Sequence, residues 1–182
     1  IGSIPKTFTV AALLQLVDQG RVSLDDPIDT YVPGMPNGDT ATLRMLASMT
    51  SGIPPYSFNE EFQSVYFADP ATVFAPQQLV DYVKDSEPSF PAGTKVEYSN
   101  TNTVLLGMVI EKVTGVSYTQ ALHERLLDQL ELRGTLMDEE ISPLAESTHA
   151  QANPALRSSS GVLRSSSGPA VTGVQMEYFG VL

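Results

Sequence analysis

Residues 3–6 read Ser3-Ile4-Pro5-Lys6 and open an apolar segment that runs to Gly20. Because three residues is close to one helical turn, a helix here places the Ser3 hydroxyl and the Lys6 amine on one face. A serine becomes nucleophilic when a base takes its proton, and a lysine amine can be that base. The first turn of a helix also favours a developing anion. The same residues equally fit a plain helix start, with Ser3 as cap and Pro5 in the first turn.

The composition is that of an acidic globular protein without cysteine. The chain has 182 residues, 42% of them hydrophobic, which suffices for one domain with a core. Its formal net charge is −11, which argues against a nucleic-acid partner because phosphate recognition needs clustered Lys and Arg. His123 and His149 lie far apart and lack the spacing of metal ligands. We therefore expect no metal and no other cofactor.

The hydropathy of the sequence also bears on membrane association. No stretch approaches the roughly 20 consecutive apolar residues of a membrane-spanning helix. We therefore expect no transmembrane segment in this chain. No export signal precedes Ser3, and we expect any such signal to lie outside these residues.

Apolar periodicity and capping residues predict most of the secondary structure. Long helices are predicted over residues 3–19, 76–86, 101–114 and 117–130, and a short one from Thr40 or Thr42 to about Thr50. Residues 53–75 are rich in aromatic side chains. We interpret them as the floor of a cleft or as a loop anchored on the core. Residues 95–98 are expected to be extended.

The character of the chain changes after Met137. The segment 138–182 contains two Ser-Ser-Ser-Gly runs, which are typical of a loop or a poorly ordered tail. Its last nine residues, 174–182, form a possible strand without an evident partner. We therefore divide the chain into a compact region, residues 1–137, and a Ser/Gly-rich region, residues 138–182.

A second motif, Tyr98-Ser99-Asn100, lies between a Pro/Gly-rich turn and an apolar helix. A tyrosine at this point can share a proton with Lys6 and act as general base towards Ser3. The Asn100 amide can both donate to and accept from a peptide-like substrate. The alternative is structural, with Tyr98 as a packed aromatic residue and Asn100 as the N-cap of the next helix.

The two motifs and the sequence around them resemble the serine β-lactamase and penicillin-binding-protein superfamily. The resemblance is closer to the branch of class C β-lactamases and D-alanyl-D-alanine carboxypeptidases, which also holds esterases and D-aminopeptidases. It covers residues 1 to about 137. The matching stretches are residues 1–9, 20–27, Thr50-Ser51-Gly52-Ile53, Phe90-Pro91-Ala92-Gly93-Thr94, Tyr98-Ser99-Asn100-Thr101-Asn102, 105–107 and 113–115.

The resemblance implies a fold and a set of site residues. The fold is the α+β β-lactamase/transpeptidase type, a helical lobe with an antiparallel sheet, of which this chain holds mainly the helical lobe. Ser3 is implied as the acylated nucleophile, Lys6 and Tyr98 as the residues that share the proton transfer, and Asn100 as a contact to the substrate amide. Which of Lys6 and Tyr98 takes the serine proton stays open.

The implied reaction is acyl transfer through an acyl-enzyme on Ser3, followed by hydrolysis. The expected substrates are D-alanyl peptides or β-lactams. A small-ester hydrolase or a D-aminopeptidase is the alternative within the superfamily. An alternative from another class is a non-catalytic fragment or binding module. The resemblance further implies export to the periplasm or the extracellular space.

Four positions depart from the family. Met49 replaces a histidine before Thr-Ser-Gly, Pro5 replaces a common threonine, and Gln129-Leu130-Glu131 replaces Pro-Leu-Gly. The family's third motif, Lys/His-Thr/Ser-Gly, supplies an oxyanion-hole donor, and the one candidate here is Val171-Thr172-Gly173. We expect this candidate not to fill the role and the true motif to lie outside the chain.

Overall fold

The computed structural model describes residues 3–69, 72–137 and 174–176, without the side chains of 136–137 and 174–176. Within these ranges the protein is mainly helical. Six α-helices are α1 (Pro5–Asp18), α2 (Leu43–Ala47), α3 (Glu60–Ala68), α4 (Pro76–Lys84), α5 (Asn100–Thr114) and α6 (Tyr118–Leu122). A π-helical turn (His123–Leu127) extends α6, and two 3-10 turns span Ile28–Thr30 and Tyr56–Phe58. None of the described helices is long and apolar enough to cross a membrane.

Helix α5 is the central element of the core. Every residue from Asn100 to Gly107 is buried, and the helix packs against α1, α2, α4 and α6. Its sequence is polar in the first turn and apolar beyond, so its burial requires partners for Asn and Thr side chains at one end only. Gly115 ends the helix with φ of +79°, the left-handed conformation that glycine adopts without steric cost.

Helix α1 begins at Pro5, two residues later than predicted. Ile4 is its N-cap and makes no side-chain capping bond, so Ser3 lies before the helix and does not cap it. Pro5 fits the first turn because the missing N–H has no intrahelical partner there. The structural alternative for Ser3, a helix cap, is therefore wrong.

A hydroxyl pair fixes α1 to α6. The Tyr118 phenol lies 2.6 Å from Thr9 Oγ1, which in turn donates to Pro5 O at 3.3 Å. Thr9 and Tyr118 are both almost fully buried. Burial raises the pKa of Tyr118 to about 12, against the smaller lowering effect of the bond to Thr9. The pair therefore ties the first turn of α1 to the helix behind it.

The aromatic stretch predicted as a loop contains helix α3 over Glu60–Ala68, so that prediction was wrong at these residues. The Asn59 side chain accepts the N–H groups of Glu61 and Phe62 and caps the helix. Anchoring on the core is nevertheless what the aromatic residues do. The Phe62 ring lies 5.0–5.8 Å, between centroids, from those of Tyr56, Tyr66, Phe74 and Tyr82.

The described strands are short. Thr135–Met137 (β1) pairs in parallel with Val174–Met176 (β2), with Thr135 opposite Val174. The expected terminal strand thus has a partner that the sequence did not indicate. Residues 95–98 adopt no regular strand. The antiparallel sheet implied by the resemblance is not seen in the described ranges, and the division of the chain at residue 137 stays a prediction.

Candidate active site

The two motifs meet at the N-terminal end of α1. The Tyr98 phenol oxygen lies 2.5 Å from Ser3 Oγ, although the two residues are 95 positions apart. Lys6 Nζ donates to the same Ser3 oxygen at 3.2 Å. The Lys6 ammonium also stands over the Tyr98 ring, 5.2 Å from its centroid. Ser3 Oγ therefore has a cation and a phenol as immediate neighbours.

Burial differs among the three residues in a way that suits acyl transfer. Lys6 is 7% exposed, so its charge acts at short range with little screening by water. Tyr98 is 52% exposed and Ser3 is partly exposed. The hydroxyls therefore face solvent while the cation stands behind them. A substrate can reach Ser3 Oγ without displacing Lys6.

The start of α1 fixes the spacing between the serine and the lysine. The Lys6 N–H donates to Ser3 O at 3.2 Å, and the Thr7 N–H donates to Ile4 O at 3.0 Å. These bonds form a tight turn that continues into the helix. One turn of backbone therefore separates the two side chains, which is why Lys6 Nζ reaches back to Ser3 Oγ.

Asn100 is the first residue of α5, and Ser99 rather than Asn100 is the N-cap. The capping alternative for Asn100 is therefore wrong. Asn100 is 4% exposed, and its Oδ1 has no hydrogen-bond partner among the described residues. A buried acceptor without a partner is costly, so this amide oxygen needs a donor that the described residues do not supply.

The segment that carries Tyr98 is bonded to a turn formed by residues 49–52. This turn accepts three backbone bonds along the length of the segment 89–97. The bonds run from Ser89 N–H to Gly52 O (2.9 Å), from Gly93 N–H to Thr50 O (2.8 Å) and from Glu97 N–H to Met49 O (2.9 Å). Asn37 Nδ2 adds a bridge by donating to Ser51 O and Phe90 O, both at 2.9 Å. The turn thus holds the segment along one side.

Two residues without a role in the sequence analysis link this turn to α5. Ser51 Oγ donates to Asn102 Oδ1 at 2.6 Å, and Asn102 Nδ2 donates to Met49 Sδ at 3.4 Å. Ser51 is fully buried and Asn102 is 1% exposed. The sequence signal that could have indicated Asn102 is a run of polar residues, Asn100 to Thr103, at the start of an otherwise apolar helix.

Two of the departures from the family, Met49 and Pro5, lie beside residues of the candidate site. Met49 stands in the turn with φ of +59°, a conformation uncommon outside glycine and asparagine. Pro5 occupies the first turn of α1. The Val171-Thr172-Gly173 candidate lies outside the described residues, as does His149. Among the residues that the structure does describe, no group of three His, Cys, Asp or Glu could hold a metal ion.

Comparison with known proteins gives one consistent result. The sequence model of the family described as Beta-lactamase matches residues 1–175. Protein flp of Staphylococcus aureus (strain MW2) is 34% identical over 143 residues, which are 74% of this chain and 27% of that protein. Penicillin-binding protein 4* of Bacillus subtilis (strain 168) is 33% identical over 122 residues, 65% of this chain and 26% of that protein.

A solved structure with the same fold is a D-stereospecific amidohydrolase from Streptomyces sp. It is 43% identical, with a TM-score of 0.69, over 73% of this chain and 42% of that one. This chain therefore spans about a quarter of the curated relatives and less than half of the solved structure. It belongs to the beta-lactamase family of serine hydrolases, and what it holds of the β-lactamase/transpeptidase-like fold is the helical lobe.

Proposed function

We propose that the protein is a serine acyl-hydrolase that forms an acyl-enzyme on Ser3. The observation that carries the proposal is the double contact of Ser3 Oγ, with the Tyr98 phenol at 2.5 Å and with Lys6 Nζ at 3.2 Å. A serine that only terminates a helix has no need of a buried cation and a phenol at once. This pairing of nucleophile and base is the arrangement that covalent catalysis requires.

The hydrogen bonds suggest the direction of proton transfer. Lys6 Nζ donates to Ser3 Oγ, and in the proposed mechanism Ser3 Oγ donates its own proton to the Tyr98 oxygen. In the first step Ser3 Oγ forms a bond to the substrate carbonyl carbon and its proton passes to Tyr98. The carbon–nitrogen or carbon–oxygen bond then breaks, and the leaving group takes the proton. Tyr98 accepts this proton as a phenolate and becomes a phenolate again when the leaving group takes it, and the Lys6 charge stabilises that phenolate.

The second step returns the enzyme to its starting state. A water molecule gives a proton to Tyr98, and the oxygen of this water attacks the acyl carbon. The ester bond to Ser3 Oγ breaks, the acid leaves, and the serine regains its proton. Asn100 Oδ1 would accept an N–H of the substrate's amide during both steps, since no described residue occupies it.

The substrate class that fits best is an amide next to a D-configured residue, as in D-alanyl peptides and β-lactams. The support is the likeness to a D-stereospecific amidohydrolase together with relatives named as penicillin-binding proteins. Esters and D-aminopeptidase substrates remain the alternatives within the same chemistry. We also propose that the protein acts outside the cytoplasm, which cell fractionation with an antibody would test.

The test is covalent labelling of Ser3. Incubation with a penicillin should add the mass of the drug to the peptide containing Ser3, and Ser3→Ala should abolish the adduct. A pair of p-nitroanilides of D- and L-alanine, with a nitrophenyl ester beside them, would rank the substrate classes. Equal labelling of wild type and Ser3→Ala would exclude Ser3 as the nucleophile.

A second candidate is a non-catalytic binding module. It is favoured by the described residues, which form no antiparallel sheet beside the candidate site. Losing one oxyanion donor alone costs about two to three orders of magnitude in rate. The measurement that separates the candidates is turnover by the 182-residue chain. Hydrolysis clearly above the Ser3→Ala control eliminates the binding module.

A further inference from the structure

Tyr98 belongs to an exposed segment without regular secondary structure. Residues 95–98 are all exposed and belong to no helix or strand. The Tyr98 phenol nevertheless lies within hydrogen-bond distance of Ser3 Oγ. Catalytic geometry of this kind must be held to within a fraction of an ångström by neighbouring groups. Other parts of the protein must therefore hold Tyr98.

The segment is held by a backbone bond one residue before the tyrosine. The Glu97 N–H donates to Met49 O at 2.9 Å. Met49 presents this carbonyl from a left-handed conformation, with φ of +59°. For a residue with a Cβ this conformation costs about 1–2 kcal/mol and persists only where surrounding contacts enforce it. The position of Tyr98 thus depends on whatever enforces the turn at Met49.

Asn102 supplies that enforcement through both ends of its amide. Its Nδ2 donates to Met49 Sδ at 3.4 Å, and its Oδ1 accepts the Ser51 hydroxyl at 2.6 Å. The Ser51 oxygen also accepts the Ile53 N–H at 3.1 Å, which continues the turn. Because Asn102 and Ser51 are buried, water cannot replace these bonds.

The same residue also fixes the other side of Tyr98. Asn102 lies in the first turn of α5, and its N–H donates to Ser99 O at 3.2 Å. Ser99 directly follows Tyr98 and is the N-cap of the helix. Asn102 is therefore linked to the residues on both sides of the tyrosine. The link to Glu97 is indirect and passes by way of Met49, whereas the link to Ser99 is a direct backbone bond.

We propose that Asn102 is a positioning residue that sets the distance between the Tyr98 phenol and Ser3. It acts through Met49 and Ser51, and touches neither the nucleophile nor, in this arrangement, the substrate. The inference rests on the proposed function for its effect on rate. Its effect on the place of the Tyr98 ring does not require turnover and can be measured separately.

The kinetic test is a double-mutant cycle on kcat/KM for a nitrophenyl ester. Asn102→Ala should lower kcat/KM about ten-fold or more in the wild-type background, with most of the loss in kcat, because misplacing a catalytic group by about 1 Å can cost two orders of magnitude. In the Tyr98→Phe background the same change should cost less than about two-fold, since residues acting through one group are non-additive.

Thr101→Val is the matched control. Thr101 lies in the same turn, is equally buried, and uses its hydroxyl to donate to Pro54 O and to accept the Tyr56 N–H. The Thr101→Val variant therefore loses a comparable number of buried hydrogen bonds, none of which involves the turn of residues 49–52. Its effect should be the same factor in both backgrounds. A loss for Asn102→Ala that is equal in both backgrounds would reduce Asn102 to a stabilising residue and overturn the proposal.

The second readout is the NMR signal of the Tyr98 ring in protein with ¹³C-labelled tyrosine, assigned by its disappearance in Tyr98→Phe. Asn102→Ala should shift this signal and Thr101→Val should leave it in place. If Asn102→Ala does not fold, Ser51→Ala and Met49→Leu remove one contact each and should shift the same signal. An unmoved Tyr98 signal refutes the inference. Equal turnover by wild type and Ser3→Ala refutes only the proposed function.

Discussion

Tyr98 and Lys6 both contact Ser3 Oγ, the phenol oxygen at 2.5 Å and the lysine nitrogen at 3.2 Å, the long end of the range for an N–H···O bond. Within the proposed function, the shorter distance supports the phenol as the direct proton acceptor and the ammonium as its electrostatic support. The sequence left this choice open. Our proposal makes this choice from the distance of each side chain to the Ser3 hydroxyl.

Tyr98→Phe should lower kcat by about 10²–10⁴-fold because it removes the general base and leaves the ring in place. The value of KM should change little, since the phenyl ring still lines the site. Tyr66→Phe is the control, because Tyr66 stacks on Phe62 away from Ser3 and its ring is retained. Steady-state kinetics of the three proteins checks this, and a Tyr98→Phe enzyme with wild-type kcat would return the role of base to Lys6.

Gly52 is a residue at which the backbone itself excludes any side chain. Its φ is +72°, and an added Cβ would stand 2.1 Å from Phe90 O and 2.7 Å from Asn37 Nδ2. We expect Gly52→Ala to lower the free energy of unfolding by at least about 3 kcal/mol, the sum of left-handed strain and overpacking. Urea denaturation measures it.

The matched control for Gly52 is Gly115→Ala. Gly115 has φ of +79°, but an added Cβ meets nothing within 4 Å. It should therefore cost only the left-handed strain, about 1 kcal/mol. An equal decrease in the free energy of unfolding at the two positions would show that the close approach of Phe90 O to Gly52 adds nothing to the cost of a Cβ.

At the scale of the elements, α1 carries Lys6 and begins shortly after Ser3, and α6 holds α1 in place. The contact is the Thr9–Tyr118 hydroxyl pair, buried between the two helices. The stability that Tyr118 contributes should depend on pH, because its burial disfavours the phenolate by more than the bond to Thr9 favours it. The pKa of Tyr118 is about 12 in the folded protein against 10.0 for a free tyrosine. A raised pKa means that the folded state holds the proton more tightly, so its stabilising effect is complete below pH 10 and is lost as pH rises towards 12.

Tyr118→Phe should therefore be less stable than wild type by about 1 kcal/mol at pH 8, the contribution of one buried hydrogen bond. Between pH 10 and pH 12 the wild type should lose up to about 1.4 kcal/mol per pH unit that the variant does not lose. The gap between the two unfolding curves should accordingly close or reverse. Denaturation at pH 8, 10 and 11 is the measurement, and a constant gap would contradict it.

At the scale of the molecule, one hydrophobic core joins the helices from α1 to α6. It contains Leu13 and Leu16 from α1, Leu105 and Ile110 from α5, and Leu122 from α6, all essentially inaccessible to water. A single contiguous core predicts a single cooperative transition, because no helix can leave it without exposing the others. The aromatic cluster around Phe62 belongs to this same core.

Leu105→Ala should lower the free energy of unfolding by about 2–5 kcal/mol, since Leu105 has no exposed surface and its loss leaves a cavity. The far- and near-ultraviolet circular dichroism transitions should move together. Leu130→Ala, at a residue 61% exposed, should stay within about 0.5 kcal/mol of wild type. Separate transitions for the two signals would argue for more than one folding unit.

The sequence predicted the helices well because apolar periodicity and caps are local. Thr42 and Ser117 accept the capping bonds expected of them, and α4 and α5 begin and end within two residues of the prediction. The sequence prediction missed α3 because we interpreted the segment from its aromatic residues. The usual signals of a helix start, the Asn59 cap and the acidic first turn, were therefore overlooked. The pairing of β1 with β2 was also missed, since strand partners distant in sequence leave no local signal.

The sequence by itself determined the residues of the candidate site: Ser3, Lys6, Tyr98 and Asn100 were all indicated by short motifs and by the resemblance they support. Only the tertiary structure decided how Tyr98 is held against Ser3. That depends on Asn102, Ser51 and the left-handed Met49, whose contacts span about 50 residues of sequence. Hydrogen bonds between buried side chains depend on distance and angle in space, and neither is encoded in the local periodicity of a chain.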